Sequence, residues 1–535
     1  MTDPSNNLSA GMSGLPPIIQ SLLEPSAYPE PTDVVELGQT HISYLLFTPN
    51  FVYKVKKPVD FGFLDFSTLE KRLYYCQQEL KLNRRISPDV YLDVVSITST
   101  DGTYIMGGKG KAVEYAVKMR RLPADRMAKV LLENNQLTEN MARDLGRLIA
   151  DFHRQAETSA ETSAYGSLDG VSRNITENFE QTEKYIGQSI SEKKFQRIQD
   201  YALGFLNENA QLFQRRVDSG RIKDCHGDLH LDQICFTDEG VRVIDCIEFT
   251  ERFRFSDVAS DIAFLAMDLE RHSRWDLSLA LMEEYLAASG DTEVKGLLDF
   301  YKCYRAYVRG KVESFRLDDH HISEEEKRAA ALRASRYFDL SYAYASRGYP
   351  PYLIMACGMV GTGKSSVAEV LAAETGMAVI ASDQVRKALA GFAPRERHYD
   401  TYGGGLYSPE QSQNTYGEMF RLAKALLKEG QSVVLDATFK RREDREKALS
   451  LAIEARAKFW AVECVCPEQI VKKRLELREQ EGTSPSDGRW EIYERDKKDY
   501  APLTEVPVDR HIVIDTAKFG PREAALNAAK GIGLT

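Results

Sequence analysis

The sequence predicts an α/β and α+β multidomain protein, with a bilobal N-terminal part followed by a C-terminal three-layer α/β/α domain on a parallel sheet. Short strand-like runs dominate up to residue 118, and long amphipathic helices dominate residues 119–345. From residue 352 onward strands alternate with helices, which predicts a parallel sheet covered on both faces. A chain of 535 residues is long enough for two or three such domains.

The composition is that of a globular protein, with 43% hydrophobic and 28% charged residues. The net charge of −10 comes from the N-terminal two thirds, and residues 350–535 are near balance, so neither part is a basic nucleic-acid-binding block. The eight cysteines form no C-x-x-C pair, which argues against a zinc site or a disulfide framework and fits the reducing cytoplasm. No apolar run approaches a membrane span, and no feature points to a stable protein partner.

Residues 1–27 are expected to form a flexible tail and residues 28–118 a sheet-rich lobe. The start of the chain is rich in Ser, Asn and Gly and lacks the basic and apolar segments of a targeting signal. Strands are predicted at Ile42–Phe47, Phe51–Val55, Val90–Ile97 and Glu114–Met119. Ser67-Thr68-Leu69-Glu70 has a capping-box pattern, which predicts the start of a helix that carries Glu79.

The helical lobe is predicted over residues 119–345, and a linker over residues 346–351 leads to the C-terminal domain, residues 352–535. Apolar periodicity predicts helices at Glu139–Ala156, at Glu192–Val217 and over much of Ala259–Arg347. The Gly and Pro residues of the linker are expected to end the last of these helices.

Two carboxylates in the helical lobe lie beside short apolar strands: Asp228 in His226-Gly227-Asp228, and Asp245 after Val241-Arg242-Val243-Ile244. Such a pair suits phosphoryl transfer, because one carboxylate can orient the attacking hydroxyl and accept its proton while the other holds Mg²⁺. The residues alone leave open that both aspartates cap turns, where Asp is common. Asp257 and Asp261 are expected to brace this loop from the start of a helix. His153 is expected to be a packed core histidine.

The C-terminal domain begins with Gly358-Met359-Val360-Gly361-Thr362-Gly363-Lys364-Ser365, between a predicted strand and a predicted helix. The spacing G-x-x-x-x-G-K-[ST] lets backbone N–H groups wrap a polyphosphate at a helix N-terminus. Lys364 is expected to reach the terminal phosphates and Ser365 to ligate Mg²⁺, so ATP and Mg²⁺ are the predicted cofactors. The predicted nucleotide-binding residues of this loop are Gly358, Gly361, Thr362, Gly363, Lys364, Ser365 and Ser366.

Polar residues follow the predicted strands of this domain, which are placed at Tyr352–Cys357, Ala378–Ala381, Ser432–Leu435, Lys458–Val465 and His511–Ile514. Asp383 would activate an acceptor hydroxyl, and Arg386 one helical turn later would grip an acidic part of the substrate. The alternative is that Ser382 is a helix N-cap and Asp383 only favours the helix dipole. Asp436 is expected to hold Mg²⁺ through water.

Arg474 and Arg478 are four residues apart on a predicted helix that precedes the loop Gly482–Gly488, and they therefore share a face. Cations on a mobile lid over the phosphates would stabilise the transferring charge. A solvated helix, with these arginines paired to neighbouring glutamates, is the alternative that the residues alone leave open.

His226-Gly227-Asp228 with the trailing Asp245 resembles the aminoglycoside phosphotransferase family, which has the protein-kinase-like fold, over roughly residues 34–347. The resemblance implies that Lys54 holds the α- and β-phosphates and that Glu79 is its ion-pair partner. It also implies that Asp228 is the catalytic base, that Asp245 binds magnesium, and that the adenine-binding hinge lies at residues 117–119, with Met119 in the nucleotide site.

One departure from the family pattern concerns the metal. The family has Asn where this chain has Gln233, whose extra methylene would shift its amide oxygen and alter Mg²⁺ binding. The glycine-rich loop is also thin, with Gly38 followed by Gln39-Thr40-His41. These differences leave open that the N-terminal domain is a pseudokinase or a binding module.

The motifs of the C-terminal domain together resemble small P-loop kinases related to polynucleotide 5′-hydroxyl kinase and to zeta-toxin-type kinases. The resemblance implies that Asp383 is the base, that Arg386 contacts a substrate phosphate, and that Arg474 and Arg478 are lid residues. The whole chain resembles bacterial proteins described as bifunctional aminoglycoside phosphotransferase/ATP-binding proteins.

The resulting expectation is a cytoplasmic, bifunctional ATP-dependent kinase. Its C-terminal domain would phosphorylate a hydroxyl near an acidic group, with a nucleic-acid 5′ end as a candidate, and its N-terminal domain a small hydroxylated molecule. The alternative for the C-terminal domain is an ATP-hydrolysing switch that regulates its neighbour.

Overall fold

The computed structural model describes residues 14–62, 64–100, 102–319, 322–346, 350–392, 405–481 and 489–534. Several sequence predictions fall outside these residues: the tail up to residue 13, residues 347–349 of the linker, and the lid loop Gly482–Gly488. Within the described part of the chain, no helix combines the length and the apolar character needed to cross a membrane.

The N-terminal lobe is a six-stranded antiparallel sheet in the order β1-β2-β3-β6-β4-β5. Its elements are α1 (Pro17–Ser21), β1 (Glu36–Gln39), β2 (Ser43–Phe47), β3 (Phe51–Lys56), α2 (Leu69–Asn83), β4 (Tyr91–Thr100), β5 (Thr103–Met106) and β6 (Ala112–Arg120). The four predicted strands are confirmed within a few residues at their ends. Strand β6 runs two residues past the lobe boundary predicted at residue 118.

Two details of this lobe differ from the sequence predictions. The prediction of a flexible tail is wrong for residues 14–27, because Ile19 and Leu22 are buried against the sheet and hold α1 in place. Helix α2 has Thr68 as its N-cap, whose hydroxyl accepts from the Lys71 N–H. The Ser67 hydroxyl is engaged by Asp65 instead, which moves the helix start by one residue.

The second lobe is mainly helical and carries two short hairpin-like strand pairs. Its elements are α3 (Ala128–Glu133), α4 (Glu139–Gln155), α5 (Ala160–Ala164), α6 (Leu168–Thr182), α7 (Glu192–Glu208), α8 (Ala210–Asp218), β7 (Ile222–Asp224), β8 (Ile234–Thr237), β9 (Gly240–Val243), α9 (Glu251–Arg254), β10 (Phe255–Asp257), α10 (Val258–Arg271), α11 (Trp275–Ser289), α12 (Val294–Phe315) and α13 (Glu324–Ala345). The single helix predicted over residues 192–217 is two helices, because Asn209 leaves the helical conformation and its side chain bonds the Phe205 carbonyl.

The C-terminal domain is a five-stranded parallel sheet in the order β12-β13-β11-β14-β15, as the alternating pattern predicted. Its elements are β11 (Tyr352–Cys357), α14 (Lys364–Thr375), β12 (Ala378–Ala381), α15 (Ser382–Leu389), α16 (Pro409–Lys428), β13 (Val433–Asp436), α17 (Arg442–Glu454), β14 (Lys458–Val465), α18 (Glu468–Glu481), α19 (Trp490–Asp499), β15 (His511–Asp515) and α20 (Pro521–Ile532).

Two apolar clusters cover the two faces of this sheet. Leu353 and Met355 of β11 pack toward α16 and α17, whereas Ile354 and Ala356 pack toward α14 and α20. Successive side chains of a strand point to opposite faces, so a continuous apolar run serves both clusters. This is the three-layer α/β/α arrangement expected from the sequence.

One residue of the helical lobe belongs to the core of the C-terminal domain. Trp275, at the start of α11, is buried in the cluster formed by β11, β13, α16 and α17. The exposed ion pair between Arg421 of α16 and Glu139 of α4, at 3.4 Å, lies on the same side of the C-terminal domain. The two domains therefore share an apolar contact as well as a linker.

Candidate active sites

The first candidate site lies between the six-stranded sheet and the helical lobe, where Lys54, Glu79 and Asp245 meet. Lys54 Nζ is 2.8 Å from Glu79 Oε1 and 2.5 Å from Asp245 Oδ1. Burial opposes the charge on Lys54, but Asp245 and Glu79 raise its pKa well above its ordinary value. The ion pairs implied for a phosphate-binding lysine are therefore present. Lys54 comes from a strand, Glu79 from a helix, and Asp245 from a loop 191 residues after Lys54.

A second pair of contacts, which was not predicted from the sequence, extends this cluster. Lys56 Nζ is 2.7 Å from Glu79 Oε2, and it also pairs with Glu248, three residues after Asp245. Lys54 and Lys56 are two residues apart on β3, so their side chains lie on the same face of the sheet. Two lysines in an apolar strand were the available signal, because lysine is almost never buried unless it is paired.

Asp245 has a backbone conformation that few residues other than glycine adopt. Its φ is +67°, in the left-handed region. The Asp245 N–H donates to the buried Tyr91 hydroxyl at 2.9 Å, and the next N–H, of Cys246, donates to Asn83 Oδ1 at 2.9 Å. The pKa of the half-exposed Asp245 is lowered, because the attraction of Lys54 outweighs the partial desolvation of the carboxylate. The loop therefore fixes an ionised carboxylate that faces the lysine.

Asp228 lies on a loop that the helical lobe holds from below. The N–H groups of His226 and Gly227 donate to the two carboxylate oxygens of Asp261 at 2.8 and 3.0 Å. Arg305 Nη1 donates to the Gly227 carbonyl at 2.8 Å. A side chain at Gly227, where φ is +87°, would collide with the Phe253 carbonyl. The bracing role predicted for Asp261 is confirmed, whereas Asp257 is the N-cap of α10 and its carboxylate pairs with Arg216 instead of the loop.

The charge state of Asp228 suits a group that orients and accepts a proton from a hydroxyl. Burial opposes its ionisation, but His230, whose Nε2 is 3.3 Å from Asp228 Oδ2, holds its pKa well below the usual range. Arg309 and His226 act in the same direction. Asp228 is therefore an ionised carboxylate at neutral pH.

Acid should weaken the bracing of this loop. The pKa of Asp261 falls from 3.8 to about 2, because the favourable effects of His153 and other cations outweigh burial. A depressed pKa contributes stability above the unfolded value, and this contribution is lost as the pH falls from about 4 toward 2. We expect Asp261→Asn to lower the free energy of unfolding by about 2 kcal/mol at pH 6 and by much less at pH 2.5.

Denaturant titration of both proteins across this pH range measures the difference. An equal loss of stability at pH 6 and pH 2.5 would show that the Asp261 charge is not what braces the loop. His153, which contacts Asp261 and Tyr285, is buried as predicted.

Gln233 lies beside Asp245 on a short 3₁₀ turn, Leu231–Gln233. Its Nε2 is 3.5 Å from Asp245 Oδ2, and its Oε1 is buried without a hydrogen-bond partner. A buried polar atom without a partner costs roughly 1–3 kcal/mol, so this oxygen fits a site that something else completes. Carboxylate and amide oxygens are ligands that Mg²⁺ accepts, and the residues present therefore fit the metal.

The residues predicted to form the adenine-binding hinge, 117–119, lie inside a strand. Met119 lies inside β6, with Val52 of β3 on one side and Tyr91 of β4 on the other. The chain leaves the sheet only after Arg120, so a backbone contact to adenine is expected from the residues that follow. The Met119 side chain lies in the apolar cluster that also contains Ile244, next to Asp245, and remains a candidate for the wall of the nucleotide pocket.

The second candidate site is the phosphate loop between β11 and α14. Gly358 has a φ of +137°, and a Cβ there would lie 2.4 Å from the Cys464 carbonyl oxygen. Gly363, with a φ of +89°, is the N-cap residue of α14, and Lys364 is the first residue of that helix. The loop therefore needs glycine where the sequence has it, and its backbone leads into a helix N-terminus, as in an anion-binding site.

Asp436 closes the floor of this site at the end of β13. It is buried, it hydrogen-bonds the Ser365 side chain, and its Oδ1 has no hydrogen-bond partner. Burial raises its pKa, while Lys364 and Ser365 act against that rise. A hydroxyl and a carboxylate with an unpaired oxygen beside a lysine fit a Mg²⁺ site as predicted for Ser365 and Asp436.

Asp383 and Arg386 lie together on α15. Arg386 Nη1 donates to Asp383 Oδ1 at 2.9 Å, and the guanidinium lies 4.7 Å from the Tyr407 ring centroid. Arg386 Nε is buried without a partner. The N-cap residue of α15 is Ala381, so the alternative in which Ser382 caps the helix is wrong. The structure thus places the predicted base, Asp383, beside the arginine predicted to contact the substrate phosphate.

The arginines of the lid helix α18 face the phosphate loop. Arg474 donates to the Thr516 hydroxyl at 2.9 Å and to the Thr516 carbonyl at 2.7 Å, and Thr516 donates to the Thr362 carbonyl at 2.6 Å. Burial and the neighbouring Arg474 lower the pKa of Arg478, whereas Asp383 raises it. Arg474 and Arg478 are therefore turned inward rather than solvated, which disfavours the solvated-helix alternative.

Comparison with known proteins supports two catalytic domains. Residues 107–301 match the model of the phosphotransferase enzyme family, and residues 353–503 match an AAA domain model. Uncharacterized proteins of Mycobacterium tuberculosis and Mycobacterium bovis are each 30% identical over 444 residues, which covers 83% of this chain and 86% of each relative.

Solved structures similar to parts of the chain include kinases of both kinds. The GDP complex of aminoglycoside 2′-phosphotransferase-IIIa is 13% identical, with a TM-score of 0.38, and covers 58% of this chain and 93% of that one. The Mycobacterium tuberculosis APS kinase in complex with AMPPNP and APS is 20% identical, with a TM-score of 0.25, and covers 34% of this chain and 98% of that one. The chain belongs to the same family as the mycobacterial proteins, and it is an ATP-dependent phosphotransferase that joins a phosphotransferase-family domain to a P-loop domain of the AAA type.

Proposed function

We propose that both sites transfer the γ-phosphate of ATP to hydroxyl groups in the presence of Mg²⁺, each on its own acceptor. The observation that carries the proposal is shared by the two sites. Each keeps one buried side-chain oxygen without a protein partner close to its catalytic residues: Gln233 Oε1 beside Asp245, and Asp436 Oδ1 beside Ser365. Asp245 and Gln233 in one site, and Ser365 and Asp436 in the other, would hold Mg²⁺, which would neutralise the charge that develops on the phosphates.

In the N-terminal site, the roles follow from position and charge. Lys54, fixed by Glu79, would hold the α- and β-phosphates, and Asp245 and Gln233 would supply the metal ligands. Asp228, ionised and held by its loop, would orient the acceptor hydroxyl and take its proton as the oxygen attacks the γ-phosphorus. The acceptor we propose here is a small hydroxylated molecule.

In the C-terminal site, Lys364 and the backbone of the phosphate loop would hold the phosphates, and Ser365 and Asp436 the metal. Asp383 would accept the proton of the acceptor hydroxyl, and Arg474 and Arg478 would stabilise charge on the transferring group. The unpaired, buried Nε of Arg386 supports an acceptor with an acidic group near the hydroxyl. A polynucleotide 5′ end has this chemistry, and it is the acceptor we propose for this site.

The test is transfer of labelled γ-phosphate to 5′-hydroxyl oligonucleotides and to a panel of aminoglycosides and small metabolites. Wild type, Asp228→Asn and Asp383→Asn are compared. Oligonucleotide labelling that persists in Asp228→Asn and disappears in Asp383→Asn supports the polynucleotide proposal. ATP hydrolysis without any labelled acceptor would favour the alternative, a P-loop domain that acts as an ATPase switch.

The Gln233 amide should matter for metal affinity. We expect Gln233→Ala to raise the Mg²⁺ concentration for half-maximal Asp228-dependent ATP turnover by about 10-fold or more, because an oxygen ligand is lost. Gln233→Asn should change turnover far less. Magnesium titrations in a Lys364→Ala background measure both. A large gain in turnover with Asn would instead indicate that the natural domain is a weakly active binding module.

A further inference from the structure

An arginine–tyrosine–arginine cluster, Arg271, Tyr337 and Arg309, lies next to the candidate base of the N-terminal site. Tyr337 of α13 is buried, and two half-buried arginines stack on its ring, Arg271 at 4.2 Å and Arg309 at 5.7 Å from the centroid. Arg309 also hydrogen-bonds Tyr337. The three side chains come from the end of α10, from α13 and from α12.

The cluster reaches the catalytic loop through α12. Arg305, one helical turn before Arg309, donates to the Gly227 carbonyl next to Asp228. Arg309 and Asp228 interact electrostatically, but they form no ion pair. Arg309 is therefore close enough to influence the candidate base electrostatically, yet it lies beyond ion-pair distance from it.

Both guanidinium groups keep donors for a ligand. In the described parts of the chain, neither Arg271 nor Arg309 has a carboxylate within ion-pair distance. The acidic groups near Arg309 are Asp228 and Asp268, and Asp268 is already engaged by the Leu231 N–H at 3.0 Å. Arginine is the side chain best suited to bind phosphate and carboxylate through parallel N–H groups.

We propose that the Arg271–Tyr337–Arg309 cluster binds an anionic group of the acceptor, so that the N-terminal domain phosphorylates a hydroxyl on a molecule that carries a phosphate or a carboxylate. This inference rests on the proposed kinase function of the same site. Two cations beside the acceptor position disfavour polycationic acceptors such as aminoglycosides, because like charges repel there. The hydroxyl to be phosphorylated would lie between Asp228 and the anion held by Arg309.

The test uses the full chain with Lys364→Ala, so that only the N-terminal site can transfer phosphate. Acceptors are matched by charge: glucose as the neutral member, glucose 6-phosphate and gluconate as anions, glucosamine and kanamycin as cations. We expect Asp228-dependent labelling of an anionic member only. Arg309→Gln and Arg271→Gln should raise the KM for that acceptor by about 10- to 100-fold, with a smaller change in kcat, and Arg309→Lys should restore part of the affinity.

The matched control is Arg333→Gln, since Arg333 lies on the same helix as Tyr337 but pairs with Glu313. It should leave the KM unchanged. The proposal would be overturned if kanamycin or glucose were labelled as efficiently as the anions. It would also be overturned if neither arginine substitution changed the KM for an anionic acceptor. Both outcomes would leave the kinase function intact. If the Lys364→Ala protein shows no ATP turnover that depends on Asp228, this result would instead count against the kinase function of the N-terminal site.

A second measurement does not depend on finding the acceptor. Phenylglyoxal modifies guanidinium groups that the reagent can reach, and peptide mapping reports each site. We expect inorganic phosphate to protect Arg309 and Arg271 in the Lys364→Ala protein but not Arg333. Equal modification of the two cluster arginines with and without phosphate would overturn the anion site even if no acceptor in the panel is labelled.

Discussion

Lys364→Ala should lower ATP turnover by the C-terminal site about 10²- to 10³-fold, as expected when one charge-stabilising donor is removed from a preorganised site. Lys364 is the first residue of α14 and acts electrostatically on Asp436, yet within the described residues its ammonium group has no ion pair. Its charge is thus available to the phosphates. The measurement is ATP hydrolysis and γ-phosphate transfer in an Asp228→Asn background, which silences the other site.

Lys458→Ala is the matched control, because Lys458 starts a strand of the same sheet and stacks on Tyr352 at an exposed position. It should retain full activity. If Lys364→Ala keeps more than a tenth of the activity while the fold is intact, the phosphate loop is not the site of turnover in this domain.

Asp245→Asn should lower Asp228-dependent turnover by a comparable 10²- to 10³-fold, because the change removes the charge that faces Lys54 and would face the metal. The substitution should remove the charge without changing the backbone. Asn tolerates the left-handed backbone that Asp245 adopts at a φ of +67°, so the loop should keep its shape and only the charge is lost. Turnover is measured with the Lys364→Ala background, alongside thermal unfolding.

Asp232→Asn serves as the comparison for Asp245→Asn, since Asp232 lies on the 3₁₀ turn Leu231–Gln233 and pairs with Lys129 at 3.1 Å and with His230 at 3.5 Å, not with Lys54. It should cost little activity. Full activity of Asp245→Asn with an intact fold would contradict the role of Asp245 and would favour a second acidic residue, Glu248, as the functional carboxylate.

The parts of the sites that are local in sequence could be predicted, and those that depend on long-range packing were harder. The phosphate loop is continuous from Gly358 to Ser365, so its motif carries its own geometry. Lys54, Glu79 and Asp245 meet only in three dimensions, and a family resemblance was needed to group them. No such guide existed for Lys56 and Glu248 or for the stack of Arg271 and Arg309 on Tyr337, because each joins elements far apart in the chain.

The remaining errors have specific physical causes. Residues 14–27 looked like a tail by composition, but two apolar side chains, Ile19 and Leu22, are enough to dock them on the sheet. Residues 117–119, the predicted hinge, lie inside β6, because an apolar strand gives no sign of the residue at which it leaves its sheet. The break at Asn209 depends on a side chain that competes with the helix backbone.

Trp275 sets a limit on how these two enzymes can be separated. Trp275 precedes the linker by more than seventy residues, but its indole belongs to the apolar core on one face of the C-terminal sheet, which also carries the phosphate loop. Deleting so large a buried side chain typically costs about 3–5 kcal/mol, a substantial part of the stability of one domain. A C-terminal domain joined to a different N-terminal domain would have a cavity in its core at the position of the Trp275 indole. Separating the two domains of this chain would therefore require substitutions that refill this part of the C-terminal core.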